Sequence, residues 1–194
     1  MKQNKLTDEQ AIEVIAKHFK EIMLALNLDL TDDSMMGTPN RVAKMYVTEL
    51  CSGLRTDMPI CTTFKNKFPK NQIVIEKNIA VRSLCEHHFV PIIGVCHIAY
   101  IPNKVVLGLS KFHRIVDWFS TRPQLQERLT ENIGDTLSKI LGTKDVSVII
   151  KAKHLCCSHR GVKDPNSETM TSYVGGVFMS KANAKSELFE LLKL

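Results

Sequence analysis

Apolar positions along the chain change period several times, and each change marks an element. Ile12, Ile15, Phe19, Ile22, Met23 and Leu26 recur at helical spacing behind Thr7-Asp8-Glu9-Gln10, a capping box preceded by Leu6. They predict an amphipathic helix whose apolar stripe packs on a partner surface. A second helix is predicted from Thr38-Pro39, a capping residue followed by the residue preferred at the first helical position, to about Leu50 before Gly53. Cys51 to Asn71, with Pro59, Pro69 and scattered lysines, reads as a loop. The period then shortens. Ile73 to Val81, Phe89 to Ile101 and Val105 to Leu109 are rich in β-branched residues and read as strands, with a hairpin at Pro102-Asn103. Ser110 is the expected cap of the next helix, whose Ile115, Trp118 and Phe119 belong to the core. Behind Arg122-Pro123, the spacing of Leu125, Leu129, Ile133, Leu137 and Ile140 predicts a long helix stopping at Gly142. A strand over Val146 to Ala152, another over Thr169 to Phe178 interrupted by Gly175-Gly176, and an amphipathic helix from about Asn183 complete the reading.

At 194 residues, 44% of them hydrophobic, the chain is long enough for one domain with a good core. Its formal charge of +6 favours anionic partners without choosing among nucleotides, nucleic acids and membranes. Met1 to Gln10 is polar, and no apolar run approaches the ~20 residues of a membrane span, so a cytoplasmic protein is expected. There the six cysteines (Cys51, Cys61, Cys85, Cys96, Cys156, Cys157) stay reduced and point to metal binding or catalysis rather than a disulfide framework. A Cys85 to Cys156 disulfide belongs to oxidised, metal-free preparations. The chain has no repeat, no low-complexity tract and no G-x-x-x-x-G-K-[ST] phosphate loop.

The stretch Ser83-Leu84-Cys85-Glu86-His87-His88-Phe89-Val90 sets a thiol, a carboxylate and two imidazoles side by side. Cys85 and His88, three apart, can close on one zinc ion from a single turn. They make half a site, and the donor of the rest is His154-Leu155-Cys156-Cys157-Ser158-His159-Arg160. If the preceding strand runs on through this segment, His154, Cys156, Ser158 and Arg160 share one face, which favours Cys156 as ligand. His154 then lies beside the metal as an acid or base, and Arg160 further along as an anion clamp. Three ligands leave a position for water, as zinc hydrolysis requires; a closed structural zinc site and buried, metal-free thiols are the alternatives. At the helix expected from Ser110, free backbone N–H groups with Lys111 and Arg114 on one face suit a phosphate. Arg41 and Glu127, each in a first helical turn, read on their own as a solvated charge and a dipole partner.

Together these stretches resemble the GTP cyclohydrolase family of type I. The matching pieces are Thr38-Pro39-Asn40-Arg41-Val42-Ala43-Lys44-Met45-Tyr46, Cys85-Glu86-His87-His88-Phe89, Gly108-Leu109-Ser110-Lys111, Arg122-Pro123-Gln124-Leu125-Gln126-Glu127-Arg128-Leu129-Thr130, and His154-Leu155-Cys156 followed by Arg160-Gly161-Val162. The resemblance implies zinc bound by Cys85, His88 and Cys156, a proton donor to guanine N7 in His87, and an acid–base group for the ribose in His154. It implies guanine recognition by Glu127 with Gln126 beside it, and a triphosphate cradle of Ser110, Lys111, Arg114, Arg160 and Arg41, the last from a neighbouring subunit. Cys157 and His159 leave open which thiol binds. The implied reaction converts GTP and water to 7,8-dihydroneopterin triphosphate and formate, with no organic cofactor and no nucleic-acid or membrane partner. The implied fold is α+β, a tunnelling fold: an antiparallel sheet with helices packed on one face, assembled into a decamer with sites between subunits. An N-terminal helical segment (1–55) and a catalytic domain (56–194), joined as one continuous unit, are expected. Two rivals remain. A nicotinamide-dependent nitrile reductase of the same superfold would lack the three zinc ligands, and a zinc-stabilised binding module without turnover would not need His87 and His154.

Overall fold

In the computed structural model, which describes residues 6–67 and 72–193, helix α1 (Asp8–Ala25) begins at the expected capping box. Thr7 Oγ1 accepts from the Gln10 backbone N–H at 3.3 Å, and the Gln10 side-chain oxygen accepts from the Thr7 N–H at 2.9 Å. Helix α2 (Thr38–Met45) carries Pro39 in its first turn and widens into a π-helical turn, Tyr46–Leu50, followed by a 3₁₀ turn, Ser52–Leu54. Arg122 fastens this segment to the rest: its Nη2 donates to Gly53 O at 2.7 Å, and its guanidinium lies 4.2 Å from the Trp118 ring centroid.

The strands are β1 (Thr63–Lys65), β2 (Val74–Cys85), β3 (Pro91–Tyr100), β4 (Val105–Leu107), β5 (Pro123–Gln124), β6 (Val146–His154) and β7 (Thr169–Val174). β1 and β4 form a small antiparallel pair; the main sheet has the order β5-β2-β3-β6-β7. Its pairings are antiparallel except for the two-residue β5, which lies parallel to the end of β2 with Cys85 opposite Gln124. Alternation along the strands separates two faces. On one, Cys96, Ile98, Val148 and Ile150 pack under helices α3 (Leu109–Ser120) and α4 (Gln126–Leu141), which bury Phe112, Ile115, Leu129, Ile133 and Leu137. Each of these large side chains contributes about 1.5–3 kcal/mol by leaving water. On the other, Ala99 and Ile149 are covered by Phe178, Leu188 and Leu192. These come from the helical turn α6 (Val177–Ser180) and the helix α7 (Ala182–Leu192). The fold is α+β, as expected; the long helices α3 and α4 take the one face expected for them, and α6 with α7 covers part of the other. Among the described residues no helix is long and apolar enough to cross a membrane.

Several boundaries differ from the sequence reading. β6 ends at His154, and the chain turns into a short helix, α5 (Leu155–Ser158), instead of running on as a strand. The reason lies in its partner: His154 pairs with Ile92, and the next residue of β3 is Pro91, which has no N–H to continue the ladder. Strand β7 stops at Val174 rather than Phe178. Gly176, at φ 54°, turns the chain so that the Val177 N–H donates to Asp145 Oδ1 at 2.8 Å. The cap of α3 is Gly108, not Ser110, which lies inside the first turn. The expected loop from Cys51 holds the short β1, and its residues 68–71 lie outside the described residues.

Candidate metal centre and active site

β2 and β3 are joined by a tight turn that carries the first half of the site. The Cys85 N–H donates to Val90 O and the Phe89 N–H to Cys85 O, both at 2.9 Å, with Phe89 in the left-handed region at φ 53°. The turn folds His88 back so that its Nδ1 lies 3.8 Å from Cys85 Sγ. The second half arrives by sheet register. Because His154 sits opposite Ile92, the α5 turn starts beside the beginning of β3, and Cys156 points to the same place. The donor atoms of Cys85, His88 and Cys156 all lie within 4.8 Å of one another. Two thiols and an imidazole are borderline-soft donors that suit zinc, and three of them leave a coordination position for solvent. Cys157 and His159 stand outside this group, although the Cys157 and Cys156 sulfurs are 3.9 Å apart. Burial, and then the neighbouring Cys85 and Cys157, push the Cys156 thiol up to about 11, so metal binding there releases a proton.

Around the three donors stand groups able to move protons or hold charge. His87 is exposed, with Nδ1 3.9 Å from Cys85 Sγ. Arg160 Nη1 lies 3.1 Å from His88 Nε2. β5, lying against Cys85, delivers the first turn of α4 to the same end of the sheet. There Gln126 Oε1 is 2.8 Å from His154 Nε2. Burial lowers the His154 pKa below the ordinary imidazole range, and the negative charge of Glu127 opposes this. Glu127 itself is exposed, whereas Gln126, expected beside it in guanine recognition, is 1% exposed with its amide engaged inside the protein.

The remaining expected site residues are not joined to the centre by these contacts. Arg41 Nη2 donates to Ser34 O at 2.7 Å and to Thr38 Oγ1 at 2.8 Å within its own segment. On α3, Ser110 and Arg114 are exposed. Arg114 lines a cleft with Arg82, His113 and Asp117, and Lys111 acts on the thiol of Cys61. Two braces were not visible from sequence. Arg128 Nη1 donates to Glu86 Oε2 at 2.8 Å, tying α4 to the metal turn, and the Tyr46 ring packs 6.3 Å from that of Phe89. Glu86 is adjacent to Cys85 and Arg128 to Glu127, but no local pattern announces a pair 42 positions apart.

Fold and site together define an α+β protein with a thiol–imidazole cluster at one end of its sheet that could hold a metal ion. The chain belongs to the GTP cyclohydrolase I family, whose model matches residues 15–193. It is 50% identical over 190 residues to a GTP cyclohydrolase 1 of Flavobacterium johnsoniae, covering 97% of this chain and 85% of that one. It is 48% identical over 191 residues to a GTP cyclohydrolase 1 of Aeromonas salmonicida, covering 98% and 88%. A solved structure, the archaeosine synthase QueF-Like in its apo form, aligns with a TM-score of 0.44 at 22% identity, over 54% of this chain and 95% of that one.

Proposed function

We propose that this GTP cyclohydrolase is zinc-dependent and converts GTP and water to 7,8-dihydroneopterin triphosphate and formate. The observation that carries the reading is the convergence of Cys85, His88 and Cys156 within 4.8 Å. It is supported by His87, whose Nδ1 lies 3.9 Å from Cys85 Sγ, and by His154 at the end of β6, two residues before Cys156. Zinc held there would supply water made acidic enough to react at neutral pH. His87 donates a proton to guanine N7, which makes C8 electrophilic towards water, and hydrolysis of the opened ring releases formate. His154 exchanges protons with the ribose as it opens and rearranges. The carboxylate of Glu127 accepts from guanine N1–H and from the exocyclic amine, a pairing adenine cannot offer. Arg160, beside His88, and Ser110, Lys111 and Arg114 on α3 hold the triphosphate, with Arg41 contributed by a neighbouring subunit.

Such a composite site needs an assembly, and the sheet supports one. Among the described residues neither β7 nor β2 from Val74 to Ser83 has a strand on its outer side. Free edges of this kind pair with other chains, and we infer closure into a ring of subunits, two rings giving a decamer.

The test is purified protein with GTP, assayed for formate and for a fluorescent pterin after oxidation. His87→Ala should keep its zinc and lose the product, whereas Cys156→Ala should lose both. Full metal content and turnover in Cys156→Ala would reject the assignment.

A further inference from the structure

The Gln126 amide can take only one of its two orientations. Its Nε2 lies 3.1 Å from Ile150 O, 3.1 Å from Thr169 O and 3.0 Å from Thr171 Oγ1. Backbone oxygens only accept, so this end of the amide must be the NH₂ group. Turning it over would set a carbonyl oxygen against two others around a side chain that is 1% exposed. The surrounding hydroxyls agree. Thr130 Oγ1 donates to Gln126 O at 2.8 Å, and so accepts from Thr171 Oγ1 at 2.6 Å, leaving Thr171 Oγ1 as an acceptor for the amide. The direction of every bond in the ring is thereby fixed, with α4, β6 and β7 all contributing to it.

Oε1 therefore faces His154 Nε2 at 2.8 Å. An amide oxygen cannot donate, so Nε2 carries the hydrogen, and in the neutral ring the lone pair is on Nδ1. We propose that Gln126 is a positioning residue for the reaction. It fixes the orientation and tautomer of His154 so that Nδ1 is the nitrogen presented to substrate, and its side chain takes no part in recognising the guanine base. The inference rests on the reading of His154 as the group that exchanges protons with the ribose. A proton taken up at Nδ1 leaves the Nε2–H bond to Gln126 in place, and its return to substrate restores the same tautomer.

The test uses zinc-loaded, full-length protein labelled with ¹⁵N-histidine and studied by magic-angle-spinning NMR at alkaline pH. The His154 resonances are assigned by their loss in His154→Gln. Wild type should show a single neutral tautomer protonated at Nε2. Gln126→Met, of similar length but without acceptor or donor, should lose that single-tautomer signature while keeping its zinc. Its kcat for GTP should fall at least ~10-fold and no further than the ~10²–10⁴-fold that general acid–base catalysis supplies, with KM changed less than about threefold. A wild-type ring protonated at Nδ1 overturns the proposal, and so does an unaltered His154 spectrum in Gln126→Met. A raised KM with lost preference for GTP over ATP also overturns it, because that result assigns the amide to guanine. Absence of formate release by wild type would instead refute the proposed function, while the NMR measurement, which needs no turnover, still decides the tautomer.

Discussion

Gly94 sets how closely the two arms of the metal centre approach, and adding one methyl group there should push them apart. It lies on β3, opposite Ala152 of β6 and Val81 of β2. A Cβ at this position would stand 2.1 Å from Lys151 O and 2.5 Å from both Cα and Cβ of Ala152, where ordinary contact begins near 3.4 Å. The shortfall exceeds 1 Å against the carbonyl oxygen. The obstructing atoms are backbone and a Cβ, so no rotamer change relieves it and β3 and β6 must separate. Overpacking of this kind costs about 1–3 kcal/mol. For a chain of this size each kcal/mol lowers Tm by roughly 2–4 °C, so Gly94→Ala should melt roughly 2–12 °C below the parent. Cys85 and His88 hang from the β2–β3 turn and Cys156 from the end of β6, so the same separation should weaken zinc binding. The assay is thermal unfolding of metal-free and zinc-loaded protein, together with chelator competition. Gly108→Ala is the control, since its new Cβ would meet Phe64 Cε2 at 3.7 Å and Lys111 Cγ at 3.9 Å, ordinary contacts at an ordinary φ of −63°. Gly94→Ala with parental Tm and parental zinc affinity would refute the reasoning.

Two further predictions concern the core. His97 is 3% exposed on β3, and its Nδ1 accepts from the Asn78 N–H at 3.4 Å. Burial first, then the charges of Lys77 and Lys151, hold its pKa below the ordinary 6.5. The unfolded chain thus binds a proton that the folded chain resists. This contribution to stability is intact above about pH 6.5 and is lost as pH falls below it, towards the depressed folded-state value. Urea midpoints between pH 8 and pH 5 should therefore decline less steeply for His97→Gln than for the parent, and equal slopes would contradict the prediction. Phe112, fully buried on α3 with its ring 5.6 Å from that of Tyr100, should cost about 3–5 kcal/mol when replaced by Ala, read from urea unfolding; a loss below about 1 kcal/mol would show that its surroundings collapse into the space.

The helices and strands were legible wherever a long apolar period ran unbroken. The three donors were legible too, because a thiol and an imidazole three apart need only a turn to meet, and a second thiol after a strand can be carried in by register. What stayed hidden was decided by partners distant in sequence. The segment after β6 reads as a strand until one knows that Pro91 lies beyond its last pairing position. Gln126 reads as a polar residue in a first turn, and only the meeting of Ile150, Thr169 and Thr171 around its amide shows it to be interior. Gly108 outranks Ser110 as the cap of α3 because the extended backbone falls at the glycine, a difference of two positions that composition does not resolve.

The three candidate metal donors come from arms separated along the chain by the whole run from His88 to Cys156. An unfolded polypeptide therefore offers at most a weak two-point grip, and nearly all of the affinity belongs to the native form. By mass action, free zinc at a thousand times its dissociation constant would add about 4.1 kcal/mol to folding. With such an ion bound, its availability would govern how long each molecule stays folded and so resists proteolysis.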